Sequence, residues 1–188
     1  MNKPIQFTTD RLLIREIQPS DIHDFHDITS QSGFYYYCFD GTLQSTQRFV
    51  NEAVEGQSIN PRQSFMAAVL GVNNPKKVIG HVTLDYMPKN PEFLDLAYFV
   101  HPNCQGKGIA TEAAKGMIDY AVKEFGADKI VATAHPENKA SQKVLEHMGF
   151  AFTGVASVES TNGDDQRLTY EKITQQQQVP SFLKARVG

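Results

Sequence analysis

The chain has no tryptophan, only two cysteines, and no apolar run approaching the ~18 residues a membrane-spanning helix requires. Cys38 and Cys104 are far apart and belong to no Cys-x-x-Cys or metal-spaced set. That argues against a disulfide scaffold and a cysteine-zinc centre, and it fits buried or incidental thiols in a reducing cytoplasm. The amino-terminal MNKPIQFTTDRLLIRE carries no apolar stretch long enough for a signal peptide. Charge of one sign is also scarce: the net charge is -3, so nothing draws the whole molecule toward nucleic acid or an anionic membrane. A local basic groove is still open. His23 and His26 form a His-x-x-His pair without further ligands in view, so no metal is expected and a solvated helix face is the simpler reading. The default is a soluble cytoplasmic protein.

At 188 residues the chain can bury roughly 70% of its unfolded surface as one domain. Its 40% hydrophobic and 21% charged composition is that of a globular protein. We expect a single domain over 1–174 and a loosely held tail over 175–188, where Phe182 and Leu183 could dock. Arg11–Ile17 reads as a first strand. Pro19 and Ser20 then open a helix with Ser20 as its cap, and Thr42 caps a second helix to about Glu55. Between them lies the aromatic loop Gly33–Asp40, with Tyr35, Tyr36 and Tyr37. Ser64–Leu70, Val78–Tyr86 and Phe93–Val100 read as antiparallel strands joined by turns at Asn73-Asn74-Pro75 and Pro88–Pro91.

Apolar residues from Ile109 to Phe125 fall on one helical face, and Gly126 stops that helix. Lys129–Ala134 follows as a strand, parallel to 93–100 because a helical crossover joins them. Asn138 caps a further helix ending near Gly149. Phe150–Val158 and Gln166–Ile173 form a closing hairpin around Asn162-Gly163. The chain is therefore a mixed α/β (α+β) domain.

The stretch HPNCQGKGIATEAA, residues 101–114, places two glycines just before a helix. A Walker phosphate loop fails, because no GxxxxGK[S/T] string exists. A dinucleotide fingerprint meets Thr111 where a third glycine or alanine belongs, and Asp128 precedes its strand instead of following it. A third reading takes Gln105-x-x-Gly108-x-Ala110 as the unit. Small residues there admit close backbone approach, and the helix start offers free N–H groups to a pyrophosphate. A plain helix-starting turn is the alternative.

Gln105, Gly108 and Ala110 match the Gln/Arg-x-x-Gly-x-Gly/Ala signature of the GNAT superfamily of acetyl-CoA-dependent N-acetyltransferases, which this sequence resembles. The resemblance runs on through GIATEAA and NKASQKVLEHMGF, begins at TTDRLLIRE, and spans about residues 8–173. It looks most like the branch that acetylates alanine or serine N-termini of ribosomal proteins.

That resemblance implies a mostly antiparallel sheet of about 6–7 strands with a splayed parallel pair, about four helices, and usually a β-bulge where the pair opens. It implies acetyl-CoA as donor, with pantetheine against Phe99 and Val100 and the pyrophosphate on Gln105, Gly106, Lys107, Gly108, Ile109, Ala110 and Thr111. Asn138 and Ser141 would also contact the cofactor. Asp95 is the leading general base, where relatives often carry glutamate, with Glu92 and Asp85 as alternatives. The tyrosine that many members place seven positions after the capping asparagine is Leu145 here, which leaves Ser141 as the hydroxyl for the departing sulfur. Glu112 complements the helix dipole. Tyr35–Tyr37, Arg15, Glu16 and Arg48 could border the acceptor cleft. The implied partner is an amine-bearing acceptor, a protein N-terminus or a small molecule, handled by a monomer or homodimer. A non-catalytic CoA-binding sensor or scaffold is the alternative.

Overall fold

The computed structural model describes residues 4–31, 39–87, 90–160 and 163–174, with side chains omitted for 90–92, 158–160 and 163–164. One eight-stranded sheet runs in the order β1-β2-β3-β4-β5-β6-β8-β7. Its strands are β1 (Gln6–Thr8), β2 (Leu12–Glu16), β3 (Ser64–Gly71), β4 (Asn74–Met87), β5 (Asn90–Val100), β6 (Lys129–Ala134), β7 (Ala151–Ser160) and β8 (Gly163–Ile173). The helices are α1 (Ile22–Thr29), α2 (Leu43–Gly56), α3 (Ile109–Phe125) and α4 (Lys139–His147), with short 3-10 turns at Pro19–Asp21 and Pro102–Cys104. Every pairing is antiparallel except β5 with β6. None of the described helices is long and apolar enough to cross a membrane.

Local chemistry accounts for the helix ends. The Thr42 hydroxyl accepts from the Ser45 amide at 3.2 Å, and the Asn138 side chain accepts from the Ser141 amide at 3.0 Å. Gly126 ends α3 at φ 66°, a left-handed value that glycine adopts without a Cβ clash, and its N–H returns to Ala121 and Val122. Ser20 does not cap the first helix: the chain enters through a 3-10 turn whose capping box is formed by Gln18 and Asp21.

Other boundaries also differ. β1 adds an eighth strand, pairing Gln6, Phe7 and Thr8 with Arg15, Ile14 and Leu13. Three residues are too few to show a period. Phe7 is held by stacking on Tyr120, with ring centroids 5.3 Å apart. Asn74 and Pro75 belong to β4, and the turn contracts to Val72-Asn73 because Gly71 pairs with Asn74. Tyr35–Tyr37, Cys38, the tail from 175, the side chain of Glu92 and the tip at Asn162 lie outside what is described.

Two apolar layers sandwich the sheet. One joins Leu12, Ile14, Leu84, Leu94, Leu96 and Tyr98 to Met117 of α3 and Leu145 of α4. The other joins Phe25 and Ile28 of α1 and Val50 of α2 to Leu70, Val78 and Phe99. Consecutive residues of β5 thus serve opposite layers, as the pleat requires.

The parallel pairing of β5 with β6 consists of two positions, Leu94↔Ile130 and Asp95↔Val131, after which the strands part. No bulge opens this fork. The β4–β5 register runs without a shift from Tyr86↔Leu94 to Gly80↔Val100. At Gly80 a Cβ would stand 2.7 Å from the Phe99 carbonyl oxygen and 3.3 Å from Val100 Cα, so close strand approach at the fork's open end demands glycine. Gly80→Ala should therefore lower stability by about 1–3 kcal/mol. Urea unfolding checks it, and an unchanged midpoint would contradict the close approach.

Candidate active site

A cavity of about 570 Å³ extends from the diverging end of β5 to the glycine turn. Phe99 and Val100 line it on one side, and Gln105, Gly106, Gly108, Ile109, Ala110 and Thr111 on another. Gly106 and Gly108 have φ of 70° and 75°. Both values favour glycine, and they turn the backbone so that α3 begins at the cavity wall. The first N–H groups of a helix lack intrahelical acceptors, so this turn presents donors and the positive end of a dipole.

Gln105 Nε2 donates to the Val100 carbonyl at 3.2 Å, tying the turn to the end of β5. Lys107 alone of the 105–111 run does not line the cavity; its ammonium donates to the Asn103 carbonyl at 2.8 Å. Phe99 borders the cavity while its ring packs against Phe25, Phe39, Phe49 and His81. His81 is fully enclosed there. Burial pushes its pKa down to about 4, so the ring is neutral at physiological pH, and Nδ1 pairs with the Ala67 carbonyl at 3.1 Å.

A smaller cavity of about 50 Å³ lies in the fork itself, among Leu96, Ala97, Tyr98, Ala132, Ala134, His135, Asn138, Ser141, Leu145 and Arg167. Tyr98, Asn138 and Ser141 line both cavities and so form the neck between them. Leu145, in the smaller cavity, is fully buried.

Asp95 sits at the last paired position before the fork and lines neither cavity. It faces Asp85 across the β4–β5 ladder. Burial, and then the charge of Asp85, push the Asp95 pKa up to about 6. Asp85 is also raised by burial, against hydrogen bonds from Ser64 and Thr83 that favour its ionised form.

Arg15 and Glu16 are engaged in structure. Arg15 grips Asp21 with two hydrogen bonds of 2.7 and 2.8 Å, and Glu16 pairs with Arg62 at 2.5 Å. Arg48 is exposed on α2, and His26 lies 3.5 Å from the Thr46 hydroxyl.

The sequence reading missed two features. Ala140, Lys143, Val144 and His147 line the larger cavity, a stripe at i, i+3, i+4 and i+7 of α4 that helical periodicity would have exposed. Cys104 lines it as well. The second feature is a brace behind the glycine turn. Arg11 pairs with Glu112 at 2.6 Å and donates to the Lys107 carbonyl at 2.9 Å, while Glu112 also accepts from the Thr9 hydroxyl at 2.5 Å. Glu112 is thus more than a complement to the helix dipole. Partners about a hundred positions apart leave no local signal.

Comparison with known proteins places this fold among the acyltransferases. Residues 11–151 match the family model described as "Acetyltransferase (GNAT) domain", and the chain belongs to that family. It is 30% identical over 152 residues to a Bacillus subtilis protein described as "Uncharacterized N-acetyltransferase YnaD", covering 80% of this chain and 85% of that one. It is 24% identical over 165 residues to the [ribosomal protein uS5]-alanine N-acetyltransferase of Escherichia coli, covering 81% of each. Among solved structures, a GNAT-family acetyltransferase from Bacillus anthracis superposes with a TM-score of 0.75 at 25% identity, covering 90% of this chain and 98% of that one.

The Asp95 environment has a stability consequence. A carboxyl raised to about 6 in the fold and near 3.8 when unfolded binds a proton more tightly in the native state. Stability is therefore lost as pH rises between those values. Asp95→Asn should raise stability at pH 7.5 by roughly 2 kcal/mol and change it little at pH 3.5. Thermal melts at the two pH values check it, and an equal effect at both would refute the raised pKa.

Proposed function

We propose that this protein moves an acetyl group from acetyl-CoA directly to a primary amine within a ternary complex. The observation that carries this reading is the pair of adjoining cavities, one in the β5–β6 fork and one reaching the glycine turn at the start of α3, which share Tyr98, Asn138 and Ser141 as walls. The two ends suit the two ends of the donor. The edge of a strand that has parted from its neighbour can take an extended amide-bearing chain as an added strand. The helix start beyond it suits a pyrophosphate. Acetyl-CoA, when bound, supplies an acetyl group on a thioester.

The chain's own residues then have separable tasks. Gly106, Gly108, Ile109, Ala110 and Thr111 offer backbone amides to phosphate, and Gln105 holds their turn against β5. Lys143 and His147 add polar groups on the facing wall. Asn138 fixes the first turn of α4 and presents Ser141 at the neck. Asp95 takes the amine proton, directly or through a water; its pKa of about 6 leaves it ionised near neutrality yet more basic than an ordinary carboxylate. An α-amine, with a pKa of about 8, yields its proton more readily than a lysine at about 10.4. That difference favours a protein N-terminus over a lysine side chain, in keeping with the relative that acts on ribosomal protein uS5. A small-molecule amine satisfies the same chemistry.

The test is release of free thiol from acetyl-CoA offered with peptide N-termini and small amines; no release with any acceptor would remove this reading. Gly108→Val should raise the apparent KM for acetyl-CoA on the order of tenfold or more, because a branched side chain at φ 75° displaces the turn. Unchanged kinetics would remove the phosphate cradle. Asp95→Asn should lower kcat by about a hundredfold and abolish the rise of rate with pH centred near 6. An intact acid limb would mean another group is the base.

A further inference from the structure

Three residues wall the neck between the cavities, and two of them are hydroxyls in contact. Tyr98 Oη lies 3.1 Å from Ser141 Oγ and 3.3 Å from the Ser141 carbonyl oxygen, the two acceptors to which its single proton can turn. The third, Asn138, has its Oδ1 occupied by the Ser141 amide at 3.0 Å. Leu145, deeper in the fork, offers only methyl groups. We infer that Tyr98 and Ser141 act as a hydroxyl pair on the donor's sulfur, Ser141 contacting it and Tyr98 supplying the proton through Ser141. This rests on the acetyl-transfer reading of the fork.

The geometry sets the division of labour. A donor with its phosphates on the glycine turn and its acetyl group in the fork must place its sulfur at the neck, where Tyr98, Asn138 and Ser141 meet. Ser141 stands in the first turn of the nine-residue α4, where the helix dipole favours developing negative charge. A serine hydroxyl is itself a poor acid. A phenol near 10 is only about 1.5 units weaker than an alkyl thiol near 8.5, so a tyrosine can supply what serine merely passes on. Tyr98 is 8% exposed and belongs to the apolar layer under α3 and α4, so its hydroxyl is held at the neck by the core beneath it.

The step balances without a further reagent. The C–S bond breaks with its electron pair going to sulfur. Sulfur takes the proton of Ser141 Oγ, and Ser141 Oγ takes the proton of Tyr98 Oη. The phenolate regains a proton from water as the thiol leaves, matching the proton that the amine gave up to Asp95 or to solvent.

Tyr98→Phe, Ser141→Ala and the double variant test this in two ways. Calorimetric titration at pH 9 compares CoA with desulfo-CoA, which lacks the sulfur. The wild type should prefer CoA by about tenfold and each single variant by no more than about twofold, as expected for loss of a charge-assisted hydrogen bond. In turnover, Tyr98→Phe should lower kcat about tenfold with the acetyl-CoA KM within about twofold, and the double variant should be no worse than Ser141→Ala, because the two act as a unit.

Absence of the sulfur preference in the wild type overturns the proposal, as does its persistence in Tyr98→Phe. Losses that multiply in the double variant also overturn it, since they would mark two independent packing effects. Should Tyr98→Phe fail to fold, the sulfur preference of Ser141→Ala still decides contact at the neck. Full turnover in both single variants removes the relay alone. Thiol release from no acceptor, in a wild type that does bind CoA, removes the acetyl-transfer reading and the protonation step with it.

Discussion

The divergence of β5 from β6 is the constraint on which the rest depends. Two parallel rungs hold the strands together, and beyond Asp95↔Val131 each runs on without the other. An interior strand that leaves its neighbour opens an edge within the sheet. In the proposed reading, that opened edge takes the donor's extended amide chain. The fork stays open because its two arms are fixed separately. β5 is locked to β4 by an unbroken antiparallel register that needs Gly80, and β6 is locked to β8 along its whole length.

Around this fork the two apolar layers do different work. The layer under α3 and α4 sets where α3 begins and where α4 presents its first turn, so it positions the glycine turn, Asn138 and Ser141. The layer under α1 and α2 encloses Phe99 and the neutral His81, anchoring the open arm of the fork from behind. Alternation along one strand connects them. Tyr98 looks toward the neck and its neighbour Phe99 toward the opposite core, so backbone and side chains of the same short segment serve both tasks.

Electrostatics follow the same division. The donor end is lined by backbone amides and a helix start. The other end holds Asp85 and Asp95 as cross-strand neighbours inside the protein, where like charges and burial keep protons bound more tightly than in water. Placing two carboxylates there costs stability near neutral pH. A proton-accepting role for Asp95 gives that cost a purpose.

Much of this was legible along the chain. The α3 period, its glycine stop, the Asn138 cap, the β6 strand and the parallel crossover are local consequences of side-chain spacing and capping chemistry, and they stand where the sequence placed them. The 105–111 turn could also be read, because glycines preceding an amphipathic helix carry their meaning within a few residues. The β1 strand, the Arg11–Glu112 brace, the Asp85–Asp95 pairing and the Tyr98–Ser141 contact could not. They join residues from 5 to more than 100 positions apart, and no local propensity encodes which side chain a pleat or a helix turn will bring into reach. The sequence by itself determined the family, and with it the donor proposed for the cavity. The tertiary structure alone decided which hydroxyls and carboxylates stand where the bond would break, because that depends on strand register and helix docking.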